Sequence, residues 1–302
     1  MEQKTPFPDL AATKSGLMPQ PGGLMKGKRG LIMGVANDHS IAWGIARMLA
    51  SHGAELAFTY QGEAQKKRLG PLAAGVGSTI VLPADVESDE QLDAVFAHLK
   101  AQWGGLDFLV HSLAFSDARE LSGRYVDTTR ANFLRSLDIS CFSFTAVAQR
   151  AAAKMTHGGA MVTLTYLGAQ RVMPSYNVMG VAKAALEASV RYLAADLGND
   201  NIRVNAISAG PMRTLAGSAV GDARMVFKWA KHTSPLQRSV ELNHVGGAAL
   251  YLLSDLSGGV TGEIHFVDAG FNVVGMPPTA DLKGWSPPEK DQEQSHGSSP
   301  QG

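Results

Sequence analysis

Between Gly30 and Gly270, short runs of apolar and β-branched residues alternate with longer stretches of helical periodicity, which points to βαβ units wound about a parallel sheet. The strands expected are Leu31 to Met33, Leu56 to Thr59, Thr79 to Leu82, Phe108 to His111, Ala160 to Thr165, Val204 to Ser208 and Ile264 to Val267. Most are apolar throughout, as strands covered on both faces should be. After the first of them, Ile41, Ile45, Met48 and Leu49 recur at helical spacing and stop at Gly53, with Ser40 the expected cap. No internal repeat or linker interrupts the region. The fold class is therefore α/β: a single doubly wound, Rossmann-type domain with a seven-stranded parallel sheet flanked by helices. It is expected over residues 28–276, between disordered tails at 1–27 and 277–302 that are rich in Pro, Gly and polar or charged residues.

Composition narrows the function. Twenty-seven basic residues balance 27 acidic ones, which argues against a nucleic-acid partner or an anionic membrane surface. The one cysteine, Cys141, fits a reducing compartment and excludes a cysteine-built zinc site; no metal is expected, and the cytoplasm is the expected location. Neither a signal peptide's apolar core nor a run of roughly 18 apolar residues is present.

The first strand runs into Gly34-Val35-Ala36-Asn37-Asp38-His39-Ser40-Ile41-Ala42-Trp43-Gly44, a strand-to-helix turn with a glycine at each end. Glycine lets backbone approach a pyrophosphate, and the amides and dipole of the helix start favour its charge. The spacing departs from G-x-G-x-x-G, so the turn taken alone is equally a helix cap with glycines for packing. Its context favours a dinucleotide. Gln61 ends the second strand where it can bond adenosine ribose hydroxyls, and no arginine stands there for a 2′-phosphate, although Lys66, Lys67 and Arg68 follow. NADH is favoured over NADPH. Asp85 and Val86, after the third strand, are placed for the adenine edge, with a helix cap the alternative for Asp85; His111-Ser112-Leu113-Ala114 runs beneath the cofactor.

The segment from Thr163 to Lys183 carries the chemistry. Tyr176 precedes Lys183 by seven residues, close to two helical turns, which puts both on one face about 10 Å apart. Lysine would hold the nicotinamide ribose, and its charge would favour a phenol that polarises or protonates an oxygen. Pro174 suits the helix entry, and Gly180 leaves room beside the ribose. A tyrosine or lysine alone is more often packing or solvated surface; the ordered set Tyr166, Tyr176 and Lys183 after a dinucleotide pattern is not so easily dismissed.

Here the chain resembles the short-chain dehydrogenase/reductase superfamily, and within it the enoyl-acyl-carrier-protein reductases of bacterial fatty-acid synthesis. Short-chain reductases carry a serine after the fifth strand and a Tyr-x-x-x-Lys; the enoyl branch keeps the lysine and moves the tyrosine back one turn. Met179 stands where the usual tyrosine would be and Tyr166 where the serine would be. The likeness runs from roughly Gly27 to Gly275 and includes Phe58-Thr59-Tyr60-Gln61 and Ala209-Gly210-Pro211-Met212-Arg213-Thr214-Leu215-Ala216. It departs at Leu113, Ala114 and Ser116, where relatives often have isoleucine, glycine and alanine. The resemblance implies NADH-dependent reduction of the trans-2 double bond of enoyl thioesters, catalysed by Tyr176, Tyr166 and Lys183. It implies cofactor contacts from Gly34, Ser40, Ile41, Gln61, Asp85, Val86, Leu113, Lys183, Met212, Thr214, Leu215 and Ala216. Substrate would meet Ser116, Tyr166 and Phe227, with Val226 and Trp229 as further apolar walls; the partner would be acyl carrier protein and the assembly a homotetramer. Two alternatives are a 3-oxoacyl or other carbonyl reductase, which ordinarily needs a tyrosine at Met179, and a catalytically silent NAD-binding regulator.

Overall fold

The computed structural model describes residues 23–214 and 223–276. Seven strands among them form one parallel sheet: β1 (Arg29–Met33), β2 (Glu55–Tyr60), β3 (Ile80–Pro83), β4 (Phe108–His111), β5 (Gly159–Thr165), β6 (Ile202–Ala209) and β7 (Ile264–Val267). The order is β3-β2-β1-β4-β5-β6-β7, so winding reverses between β1 and β4, where an open α/β sheet leaves a crevice at its carboxyl edge. The α-helices are α1 (Ile41–Ser51), α2 (Glu63–Gly75), α3 (Asp89–Trp103), α4 (Ala118–Leu121), α5 (Arg130–Leu137), α6 (Ser143–Ala152), α7 (Asn177–Leu197), α8 (Ala223–Thr233) and α9 (Leu242–Leu253). A π-helical turn, Asp138–Phe142, joins α5 to α6.

Strand residues alternate between two cores. Ile32, Phe58, Val110 and Val162 pack on one face against Ile45 and Leu49 of α1 and Val245 and Leu252 of α9. Leu31, Met33, Leu109 and Met161 pack on the other against Leu92 and Phe96 of α3, Phe144 and Val147 of α6, and Leu186 and Val190 of α7. Both faces are thus covered, which is why the strands read as apolar runs instead of alternating ones. Gly30 pairs with Phe108 across β1 and β4, and a Cβ there would lie 2.0 Å from the Phe108 ring.

Two details differ from the sequence reading, and one alternative it left open is closed. The body begins before Lys28: Met25 is fully buried in the first core, and its amide donates to the His52 carbonyl at 3.0 Å. Ser40 occupies the position before α1 but does not cap it; its hydroxyl accepts from the amides of Ala36 and Asn37, both at 3.0 Å, and so braces the preceding loop. Asp85 is not the cap of α3, because Ser88 fills that role by accepting from the Gln91 amide. The expected tails at 1–22 and 277–302 lie outside the described residues, as do Leu215 and Ala216.

His111, the last residue of β4, is fully buried, with Nδ1 3.0 Å from Thr163 Oγ1 and Nε2 2.9 Å from Ser143 Oγ. Burial, assisted by the charge of Lys183, lowers its pKa to about 3, so the ring is neutral. An unfolded histidine titrates near 6.5, so protons favour the unfolded chain between these values and stability falls as pH drops through that window. Denaturant titrations should show wild type losing about 2 kcal/mol more than His111→Gln between pH 6.5 and 5, at about 1.4 kcal/mol per pH unit.

Candidate active site

The crevice at the carboxyl edge is a cavity of about 680 Å³, within the usual size of small-molecule and cofactor sites. Gly34 sets its floor. With φ +98°, a Cβ at this residue would stand 2.0 Å from the Ser112 carbonyl oxygen, so the β1 loop can pass the end of β4 only as glycine. Ala36 and Ile41 line the cavity beside Gly34, next to the start of α1, where the amides of Trp43 and Gly44 donate to the Ser40 carbonyl at 3.0 and 3.1 Å. A glycine-floored loop running into a helix start is the kind of place that suits a pyrophosphate.

At one end Gln61 Nε2 donates to Asp85 Oδ2 at 3.0 Å, joining the ends of β2 and β3, and Val86 follows on the same wall. Two of the three cations after Gln61 are engaged: Arg68 Nε donates to the Ala36 carbonyl at 3.0 Å, and Lys66 bonds Glu63 at 3.3 Å and lies over the Tyr60 ring. Leu113, Met212 and Thr214 line the middle.

At the other end stand Tyr166, Tyr176 and Lys183. The two rings meet edge-on with centroids 5.0 Å apart. Lys183, on α7, is 5% exposed; its ammonium donates to the carbonyls of Leu164 at 2.8 Å and Leu113 at 3.4 Å. Burial lowers its pKa to about 8, against smaller opposing effects of Cys141 and Glu187. Burial also raises Tyr166 to about 12 and pushes Tyr176 up further, the latter aided by Tyr166 and Glu187. Burial, not the lysine charge invoked from the sequence, thus dominates the titration of the phenols, and both are O–H donors at neutral pH.

Tyr176 does not sit on the helix, as the seven-residue spacing suggested, but immediately before it. Its neighbours Ser175 and Asn177 have φ of +56° and +38°, a left-handed backbone that non-glycine residues adopt at a cost. The Asn177 amide group donates to the carbonyls of Glu120 and Gly123, which ties this bend to α4. Met179, on the helix proper, is 5% exposed with its sulfur 3.8 Å from the Ser140 hydroxyl.

Ser116, Val226 and Phe227 line the cavity, whereas Ser40 and Trp229 do not, and Trp229 is 44% exposed. Several contributors escaped the sequence reading. Asn132 holds Ser116 through hydrogen bonds in both directions at 3.1 and 3.3 Å. Ser140, in the π turn, accepts from the Phe115 amide at 2.9 Å, and Arg135 lies over the Phe115 ring while pairing with Glu87. Only their spacing on α5 and the π turn that follows it could have hinted at them. Among the described residues no cluster of His, Cys, Asp or Glu could hold a metal, and no helix is long and apolar enough to cross a membrane.

A parallel sheet with a glycine-floored crevice at its switch point, and a phenol pair and a buried lysine within it, defines a nucleotide-dependent reductase of the short-chain dehydrogenase/reductase class. The comparisons place it more closely. Residues 34–272 match the family model described as enoyl-(acyl carrier protein) reductase, and the chain belongs to that family. Enoyl-[acyl-carrier-protein] reductase [NADH] 2 of Rhizobium meliloti (strain 1021) is 66% identical over 255 residues, 84% of this chain and 95% of that protein. The FabI structure from Candidatus Liberibacter asiaticus superposes with a TM-score of 0.84 at 58% identity, covering 85% of this chain and all of that one. The enoyl-(acyl-carrier-protein) reductase of Anaplasma phagocytophilum in complex with NAD gives 0.83 at 56% identity, over 86% and 99%.

Gly34→Ala is expected to weaken binding of a nicotinamide dinucleotide by at least about tenfold, because the loop must move off Ser112 to admit the methyl. Fluorescence titration of the purified variant checks this, with circular dichroism to confirm that the sheet has formed.

Proposed function

We propose that this chain reduces the trans-2 double bond of enoyl-acyl-carrier-protein with NADH, and that Tyr176 and Lys183 carry the residue chemistry. The observation behind this is that two phenols, Tyr166 and Tyr176, face the lysine end of the cavity, while Met179 occupies the turn where a carbonyl reductase keeps its tyrosine. Relatives named as NADH enzymes and a relative solved with NAD support the choice of cofactor. Gln61, with Asp85, offers hydroxyl partners for the adenosine ribose, and Arg68 is turned to the Ala36 carbonyl.

Gly34, Ile41, Gln61, Asp85, Val86, Leu113, Met212, Thr214 and Lys183 would hold NADH, with Ser40 acting through the loop it braces. When bound, NADH supplies a hydride to the substrate's β-carbon. Electron density then moves from the double bond to the thioester oxygen, where the Tyr176 hydroxyl donates a hydrogen bond to the growing charge. A carboxylate in that place would repel it; a phenol kept neutral by burial does not. The α-carbon takes its proton from solvent, and Tyr166, packed edge-on against Tyr176, restricts the angle at which the donor ring stands. Ser116 and Phe227 would border the acyl chain. A homotetramer and a cytoplasmic location complete this reading; Leu134, Phe142 and Tyr192, exposed on α5, the π turn and α7, are supporting apolar surface, and the mass in solution tests the assembly.

Tyr176→Phe should lower kcat about 100-fold while NADH affinity stays within about twofold, as judged by stopped-flow turnover and fluorescence titration. Acetoacetyl thioester should be turned over far more slowly than crotonyl thioester; the reverse ranking assigns the chain to carbonyl reduction, and binding without any turnover assigns it a regulatory role. Lys183 keeps its charge only below about pH 8, so NADH affinity should fall by about tenfold between pH 7 and 9.5, and Lys183→Met should abolish that dependence.

A further inference from the structure

Glu187 is a buried carboxylate, 4% exposed, that the reduction leaves without a part. It follows Lys183 by four residues on α7, one turn along the same face. Its oxygens are met by neutral donors: Thr165 Oγ1 donates to Oε1 at 2.9 Å and Gln170 Nε2 to Oε2 at 2.9 Å. A buried charge is costly unless its acceptors are satisfied, and a neutral side chain would fill the same space without that penalty. The two donors are what the carboxylate gains, and their positions in the chain are informative.

Thr165 is the last residue of β5 and Gln170 follows the short 3₁₀ turn Leu167–Ala169, so the two bracket the segment that begins with Tyr166. That segment lies flat on the start of α7. A Cβ on Gly168 would stand 2.3 Å from the Tyr176 ring, and one on Gly180 would stand 2.8 Å from the Gly168 carbonyl oxygen. The ring of Tyr176 therefore rests on this segment, and any lift of the segment moves both phenols.

We infer that Glu187 is a positioning residue whose carboxylate clasps both ends of segment 165–170 to α7, fixing Tyr166 and Tyr176 against one another for the reduction. The inference rests on the proposed reaction for its kinetic consequence, but the clasp itself is a statement about geometry. Glu187→Gln can keep both bonds, its carbonyl oxygen accepting from Thr165 and its amide donating to Gln170 once that side chain flips its own amide. Glu187→Leu keeps the volume and loses both. Gln170→Leu, at an exposed position, loses one without disturbing the core.

The test combines hydrogen–deuterium exchange over residues 166–171, turnover of crotonyl thioester and NADH titration on the full-length variants. Glu187→Leu and Gln170→Leu should exchange faster in this segment, and Glu187→Leu should lose about 10- to 100-fold in kcat with NADH affinity within about twofold. Glu187→Gln should resemble wild type in all three. Unchanged exchange in both leucine variants overturns the clasp, as does a Glu187→Gln variant as impaired as Glu187→Leu, which would assign the effect to charge. Should Glu187→Leu fold poorly, Gln170→Leu alone decides between faster and unchanged exchange. Faster exchange in an enzyme whose wild type turns over no enoyl thioester would leave the clasp standing and sink the proposed reaction instead.

Discussion

The active edge of this protein depends on one buried ammonium. Lys183 projects from α7 and donates to carbonyls that follow β4 and end β5, so a single side chain ties the second-layer helix to two strands at the point where the sheet opens. Carbonyl dipoles partly replace its lost hydration, and burial still lowers its pKa, to about 8. A polar ligand able to offer oxygen atoms to that ammonium would repair the deficit. The site is thus arranged around an unsatisfied demand, and the family's sugar-bearing cofactor is of a kind that can meet it.

Much of this was legible in the chain. Strand positions came out within about two residues because both sheet faces are buried and the apolar runs are continuous; β4 and β7 match residue for residue. The glycine turn, Gln61, Asp85 and the Tyr166–Tyr176–Lys183 set fall in one cavity as read. What the chain concealed were contacts made through tertiary structure. Ser40 reads as a cap because its type and place suit one, yet its hydroxyl turns back to loop amides that periodicity cannot reveal. Met25 sits in an aperiodic, glycine-rich stretch and is nonetheless sealed into the core by its bond to the turn after α1. Asn132 and Ser140 lie in helical sequence with nothing local to distinguish them, and they matter only because the loop after β4 folds onto them.

The left-handed residues on either side of Tyr176 were equally hidden. Asparagine tolerates such a backbone better than most residues and serine does not, and the bend persists because Asn177 is held by α4 and Gly168 supports the ring. Local strain is offset by contacts from two separate parts of the chain, residues 120–123 and Gly168.

The place of this phenol, ahead of the helix instead of on its first turn, has a consequence for which bonds can react. Tyr176 precedes the first residue of α7 whereas Met179 and Lys183 both lie on it, so a donor at Tyr176 reaches the site from beyond the end of the helix. In a ketone the carbon that accepts hydride carries the oxygen itself, whereas in an α,β-unsaturated thioester two more carbon–carbon bonds separate them. On the proposed assignment, a donor ahead of α7 with the lysine kept in place would suit the longer separation between accepting carbon and oxygen. The spacing of phenol and lysine would then act as a ruler that distinguishes conjugate from direct addition, set by which residue of a single stretch is the aromatic one.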